Sequence, residues 1–319
     1  MKISGFTMAK NASKLYYPIK EAIESILPIV DEFVVALGKG DMDDNSLEAI
    51  KSINSSKIKI IETEWDIEKY SRGTENAHQT DIAKSHCTGD WLFYLQADEV
   101  VHEQFLPAIK NACLKYLEDK EVDGLLFNYV HFWGDYQHHR VDHGWYKREI
   151  RIIRNDASIH SWESAQSFRR IPNFDGKDYR QQKGTYKLKV AAIPAYIYHY
   201  GWVRPPRLMQ TKKKALHAIH VGQNKANQAF QDRKVYFDYG PLGLASNFEG
   251  THPKVMKNWI EKFDWANELN YSSEEKTPER EKFKHDKMKY RILTFLEQKV
   301  FKRSLGEFKN YVLIREDGK

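Results

Sequence analysis

Thr88-Gly89-Asp90-Trp91-Leu92-Phe93-Tyr94-Leu95-Gln96-Ala97-Asp98-Glu99 is the stretch on which the fold turns. Residues 91–95 are an unbroken apolar run, short, and closed by a polar residue and two acids. That pattern reads as a strand buried on both faces. Such strands occur where helices cover a parallel sheet. The upstream sequence agrees. Lys2 to Phe6 reads as a first strand, and Ile19, Ala22, Ile23, Ile26 and Leu27 give a helix its apolar face, between Pro18 and Pro28. Glu32 to Leu37 reads as a second buried strand, followed by the polar loop Gly38 to Asn45. A helix through Leu47, Ile50 and Ile53 then leads to a third strand at Ile58–Ile61, and Arg72 to Cys87 reads as helical. Strands alternating with helices imply βαβ units, so the expected class is α/β with a mostly parallel sheet flanked by helices.

After residue 100 the pattern changes. A helix around Phe105–Leu117 and a strand at Gly124–Val130 precede hairpin-like stretches at Trp145–Arg154 and Tyr186–Tyr200. Arg207–Val221 reads as a basic helix, Val255–Ala266 as another, and Ser272–Pro278 as a linker. Met288, Ile292, Phe295, Leu296 and Val300 place an apolar stripe on a last, Lys/Arg-rich helix. The expected organisation is a catalytic domain over 1–215, with halves 1–100 and 101–215, an extension over 216–271 and a basic amphipathic helical tail over 272–319.

Composition excludes several classes. The 319 residues are 41% hydrophobic and 29% charged, enough for a packed core and against disorder. No run approaches a membrane span, and Met1–Lys10 lacks the apolar core of a secretion signal. Cys87 and Cys113 make no disulfide or zinc pattern, which fits a reducing, cytoplasmic setting. The net charge of +6 lies entirely in residues 276–319, where thirteen basic residues face seven acids. A localised basic tail suggests an acidic partner or, more simply, a solvated helix face.

Gln96-Ala97-Asp98-Glu99 supplies the chemistry. Ligands of open α/β sheets bind beyond the carboxyl ends of the strands, and acids fixed there can hold a hard divalent cation; Mg²⁺ typically takes one or two carboxylates together with substrate phosphates. With the order of the preceding strands, this block resembles family 2 glycosyltransferases of the GT-A fold, of the bacterial polysaccharide and lipopolysaccharide type. The resemblance runs through Arg151-Ile152-Ile153-Arg154-Asn155 and His199-Tyr200-Gly201-Trp202-Val203-Arg204, and so covers about the first 215 residues. It implies a GT-A catalytic domain and a metal-assisted, inverting transfer of sugar from a nucleotide-diphosphate sugar to a glycan or lipid-linked acceptor. Asp98 would contact Mn²⁺ or Mg²⁺, with Glu99 and His199 beside it. Two positions depart from the pattern: Gln96 stands where the block has its first acid, and Leu37 where an acid often follows the second strand.

The remaining candidates follow from need. An inverting transfer requires a base for the acceptor hydroxyl. Glu163, the one carboxylate in Ser158–Ser164, is the candidate, with His160 in reserve. Asn11, Asp41, Asp81, Gln96 and Arg204 are the nucleotide-sugar candidates; Arg204 can grip phosphate. Lys212, Lys213 and Lys214 read as a solvated helix face. His138, His139 and His143 match no zinc spacing and read as a surface hairpin. Two other functions compete: a nucleotidyltransferase, against which the single glycine of Ser4–Lys10 argues, and a nucleic-acid binder, for which no motif is present. No nucleic acid is therefore expected as partner. The basic tail, with its apolar stripe, is expected either to dock the enzyme peripherally at the inner membrane or to pack its Met288–Val300 stripe on the catalytic domain.

Overall fold

The computed structural model describes residues 1–231, 235–306 and 308–317. Its first half is the expected βαβ succession: β1 (Ile3–Ala9), α1 (Ile19–Ile26), β2 (Glu32–Gly38), α2 (Ser46–Lys51), β3 (Ile58–Thr63), α3 (Thr74–Ser85) and β4 (Trp91–Tyr94). Strands β3, β2, β1 and β4 lie side by side and parallel. The apolar run of β4 is buried at every position, because helices cover both faces of the sheet. On one face Ile19, Ile23 and Ile26 of α1 join Phe33, Phe93 and Phe127 in a core. On the other, Ala83 of α3 packs with Phe6, Leu92 and Tyr94.

The second half extends the same sheet. The chain runs through β5 (Glu99–Val101), α4 (Leu106–Lys115), β6 (Gly124–Trp133), β7 (His138–Arg140), β8 (Arg148–Arg154), β9 (Ile159–Trp162), β10 (Ser167–Arg170) and β11 (Tyr186–Trp202). β8 is antiparallel between β4 and β6, and β6 is parallel to β11. The α/β class is thus as expected. One detail builds the site: after β4 the chain turns through Gln96–Asp98 into β5, which pairs antiparallel with β11 and sets Glu99 opposite His199.

The rest packs around this frame as α5 (Pro206–Val221), α6 (Gln223–Phe230), β12 (Ser246–Asn247), α7 (Lys257–Ile260), α8 (Met288–Phe295) and β13 (Tyr311–Glu316). An aromatic core joins Trp133 and Tyr200 to Phe237, Tyr239 and Trp265. The indole N–H groups of Trp133 and Trp265 donate to Tyr239 O and Gly134 O. The helix expected over 255–266 shrinks to α7, which ends five residues before the buried Trp265. The C-terminal stretch expected to be helical holds one more strand, β13, parallel to β11. It begins with the apolar run Tyr311-Val312-Leu313-Ile314, a strand signal at the end of a stretch expected to be helical. Among the described residues, no helix is long and apolar enough to cross a membrane.

Candidate active site

A cavity of about 690 Å³ opens beyond the carboxyl ends of the parallel strands. Asn11, Asp41, Trp65 and Gln96 line one part of it, from the loops after β1, β2, β3 and β4. Glu149, Arg151, His199 and Trp202 line the part contributed by β8 and β11. Helix α5 lies along it, contributing Lys212, Leu216 and His220, and is tied to the start of α3 by a hydrogen bond from Gly73 N–H to Ile219 O of 3.1 Å.

Asp98 and His199 meet at the floor, with Asp98 Oδ2 3.7 Å from His199 Nε2. Both side chains are buried. The histidine's tautomer follows from its neighbours. His131 Nε2 lies 2.8 Å from Tyr146 O, which can only accept, so that nitrogen carries the hydrogen. His131 Nδ1 is then an acceptor and takes the N–H of His199 Nδ1 at 3.0 Å. Burial pushes the two imidazoles down to about 3 and about 4, so both are neutral. His199 Nε2 therefore presents a lone pair beside Asp98. Gly201 completes the cradle: a Cβ there would come within 2.5 Å of His199 Nε2 and 2.6 Å of Asp98 Oδ2. Two acceptors converging on a space kept open by a glycine fit a divalent cation, which Asp98 and His199 would hold.

Lys212 enters the same corner. Its ammonium donates to Gly201 O at 2.6 Å and reaches Asp98 Oδ2 at 3.5 Å, over the rings of Tyr17 and Trp202. Burial pulls this lysine down to about 7, with Arg204 adding to the effect and Asp98 opposing it. Burial alone would raise the Asp98 carboxyl, but its charged neighbours, led by Lys212, hold it below the usual range. Lys213, expected on a solvated face, is only 15% exposed, pairs with Glu281 at 2.6 Å and lies over the rings of Phe237 and Phe283. Arg204 is fully buried behind Tyr17, donates to Leu15 O at 2.6 Å, and does not line the cavity. Its Nε and Nη2 have no acceptor.

The other candidates divide. Glu99, expected near the metal, is engaged elsewhere: Arg151 grips both its oxygens at 2.7 Å, Tyr129 Oη donates at 2.8 Å and Gln96 N–H at 3.1 Å. With every oxygen so engaged, Glu99 braces the strand turn and is not free to ligate an ion. Gln96 lines the cavity while its amide donates to Ala165 O. Asn11 Oδ1 accepts from Asp41 N–H at 2.8 Å, and Asp41 pairs with Lys14 at 2.7 Å, so these two join at the cavity mouth. Asp81 lies away from the cavity, clipping α3 to β9 through His160 Nδ1 and Ser161 N–H, each at 2.8 Å. Glu163 also lies outside it, half-exposed and 3.8 Å from Arg180.

Two residues on β8 and the β3 loop escaped the sequence reading. Glu149 faces the cavity, and burial raises its carboxyl above the ordinary range although Arg151 opposes this. Its place two residues before Arg151 on a strand, hence on the same face, was the available signal. Trp65 lines the cavity at the end of β3, under the ammonium of Lys10 at 5.7 Å. The histidine cluster separates: His138 bonds Asp135 at 2.9 Å and His143 bonds Glu297 at 2.8 Å. Among the described residues, no three His, Cys, Asp or Glu side chains converge as a ready metal cluster.

No family model matches the chain, and no curated protein matches it significantly. The solved structures with which it aligns include the following three. TarS of S. aureus is 17% identical with a TM-score of 0.40, over 72% of this chain and 42% of that one. Glucosyl-3-phosphoglycerate synthase from Mycobacterium tuberculosis, in complex with Mn²⁺, UDP and phosphoglyceric acid, is 18% identical with a TM-score of 0.29, over 40% and 43%. Mannosyltransferase PcManGT from Pyrobaculum calidifontis, in complex with GDP-Man and Mn²⁺, is 22% identical with a TM-score of 0.30, over 39% and 34%. The chain thus spans less than half the length of each. With each of these TM-scores below 0.5, function has to be argued from the cavity.

Proposed function

We propose that this chain is a glycosyltransferase that moves a sugar from a nucleotide-diphosphate sugar to a glycan or lipid-linked acceptor, with inversion. The observation that carries this reading is the convergence of Asp98, His199 and Lys212 around Gly201, at the floor of a cavity beyond the carboxyl ends of the parallel strands. A divalent cation, Mn²⁺ or Mg²⁺, would be held by Asp98 and His199, and when bound it would neutralise charge on the departing diphosphate. Asn11, Asp41, Gln96 and Trp65 are placed to receive the nucleoside.

In the transfer the bond from the anomeric carbon to the diphosphate oxygen breaks, the acceptor oxygen bonds that carbon, and a carboxylate takes the hydroxyl proton. Glu163, the base expected from sequence, is engaged by Arg180 beyond the cavity. Glu149 lies within it, its affinity for a proton raised by burial, and is the better base. A thermal-shift screen of nucleotide sugars with and without Mn²⁺, followed by a donor-hydrolysis assay, tests the reading. Stabilisation by one nucleotide family and its loss in Asp98→Ala are expected; no stabilisation by any nucleotide sinks it.

The acceptor side of the proposal includes an anionic membrane surface. Met288, Ile292, Phe295, Val300 and Phe301 are exposed, while Glu297, the one acid between Lys287 and Arg303, is buried against His143 and Lys147. An outward apolar stripe among six basic residues supports docking on anionic headgroups at the cytoplasmic face.

A further inference from the structure

We propose that Lys212 is a catalytic residue that binds the donor's diphosphate, with Arg204 as a buried charge behind it, so that the chain holds part of the leaving group without a metal. This rests on the glycosyltransferase reading and assigns a task to a residue the sequence places among surface lysines.

Glu99 and Arg151 neutralise each other through two hydrogen bonds. Beside that pair Asp98 and Lys212 share the corner, with Glu149 on the β8 side of the same cavity. A buried ammonium is costly unless it is well paired, and Asp98 meets Lys212 only at 3.5 Å. Arg204, buried behind Tyr17 and outside the cavity lining, adds positive potential there. A group bearing two or more negative charges is the ligand class that the remaining donors of Lys212 can pair.

Geometry selects Lys212 as the residue in contact. An ammonium has three donors. Gly201 O takes one at 2.6 Å, and Asp98 Oδ2, at 3.5 Å, is a weak partner for a second. The side chain is only 12% exposed, yet lines the cavity beside Asp98 and His199. The rings of Tyr17 and Trp202, at 5.1 and 5.7 Å, hold the ammonium in place. Arg204 lies behind Tyr17 and acts through its field. A cation fixed where negative charge grows lowers the barrier because it needs no reorganisation during the reaction.

The test measures binding of UDP, GDP and their nucleosides by calorimetry, in EDTA and in Mn²⁺, for the wild type, Lys212→Gln, Lys212→Arg and Lys213→Gln. The expected result is diphosphate binding by the wild type in EDTA, weakened at least about tenfold in Lys212→Gln. Lys212→Arg should retain most of it, and Lys213→Gln all of it. Nucleoside binding should be equal in all four proteins, which separates loss of a phosphate contact from a damaged fold. Equal diphosphate binding in Lys212→Gln and wild type overturns the role of Lys212 and leaves the glycosyltransferase reading standing. A wild type that binds neither diphosphate, with or without Mn²⁺, overturns both.

Discussion

Arg151 holds Glu99 by a two-pronged ion pair, Nε to Oε2 and Nη2 to Oε1, both at 2.7 Å and both groups fully buried. The pair ties β8 to the first residue of β5, and so fixes the turn that delivers Asp98 to the cavity floor. Removing one partner of a buried pair leaves the other charge unsolvated, at a cost of about 3–5 kcal/mol. Glu99→Ala should therefore lower unfolding stability by about that amount, measured by chemical denaturation. A fully stable Glu99→Ala that had lost only metal affinity would return Glu99 to the ion-binding role.

Gly201→Ala tests the cradle. The new methyl would lie within 2.6 Å of both His199 Nε2 and Asp98 Oδ2, where an ion is expected. Mn²⁺-dependent stabilisation by nucleotide should disappear, while the circular dichroism spectrum stays native. Retained Mn²⁺ dependence would place the ion elsewhere.

The identity of the base is settled by a pair of variants. Glu149→Gln should lower kcat by about 10²–10⁴ with donor affinity unchanged, whereas Glu163→Gln should stay within a few-fold of wild type. The opposite ranking would restore Glu163.

The buried histidines predict a pH dependence of stability. His131 and His199 are depressed to about 3 and about 4 by burial, below the ordinary value of 6.5. The unfolded chain thus binds more protons than the folded one below pH 6.5, and stability is lost as pH falls from 6.5 toward 4. Each histidine contributes a slope of up to about 1.4 kcal/mol per pH unit. Denaturant titrations at pH 7 and 5 should show this loss, and His131→Gln should shrink it.

For the membrane surface, point variants are preferable to truncation, because β13 within the tail pairs with β11. Ile292→Ser combined with Phe295→Ser removes two exposed apolar residues. Co-sedimentation with phosphatidylglycerol vesicles should fall several-fold with thermal stability unchanged. Undiminished co-sedimentation would remove this docking surface.

The sequence by itself determined the layered α/β frame, because local periodicity and short apolar runs report burial directly. It also marked Asp98 and His199, since a buried strand ending in acids and a histidine–glycine pair are both local patterns. Strand β13 carries such a run at Tyr311–Ile314, but its parallel partner β11 lies far away in the chain, and that pairing is tertiary. Which polar groups meet was decided by tertiary structure alone. Glu99 and Asp98 are neighbours in sequence, yet the turn into β5 sends one to Arg151 and the other to the cavity. Lys212 and Lys213 likewise part, one turned to Asp98 in the cavity and the other to Glu281. Electrostatic roles depend on distances of a few ångströms between residues far apart in the chain, and only the folded sheet with α5 against it sets those distances.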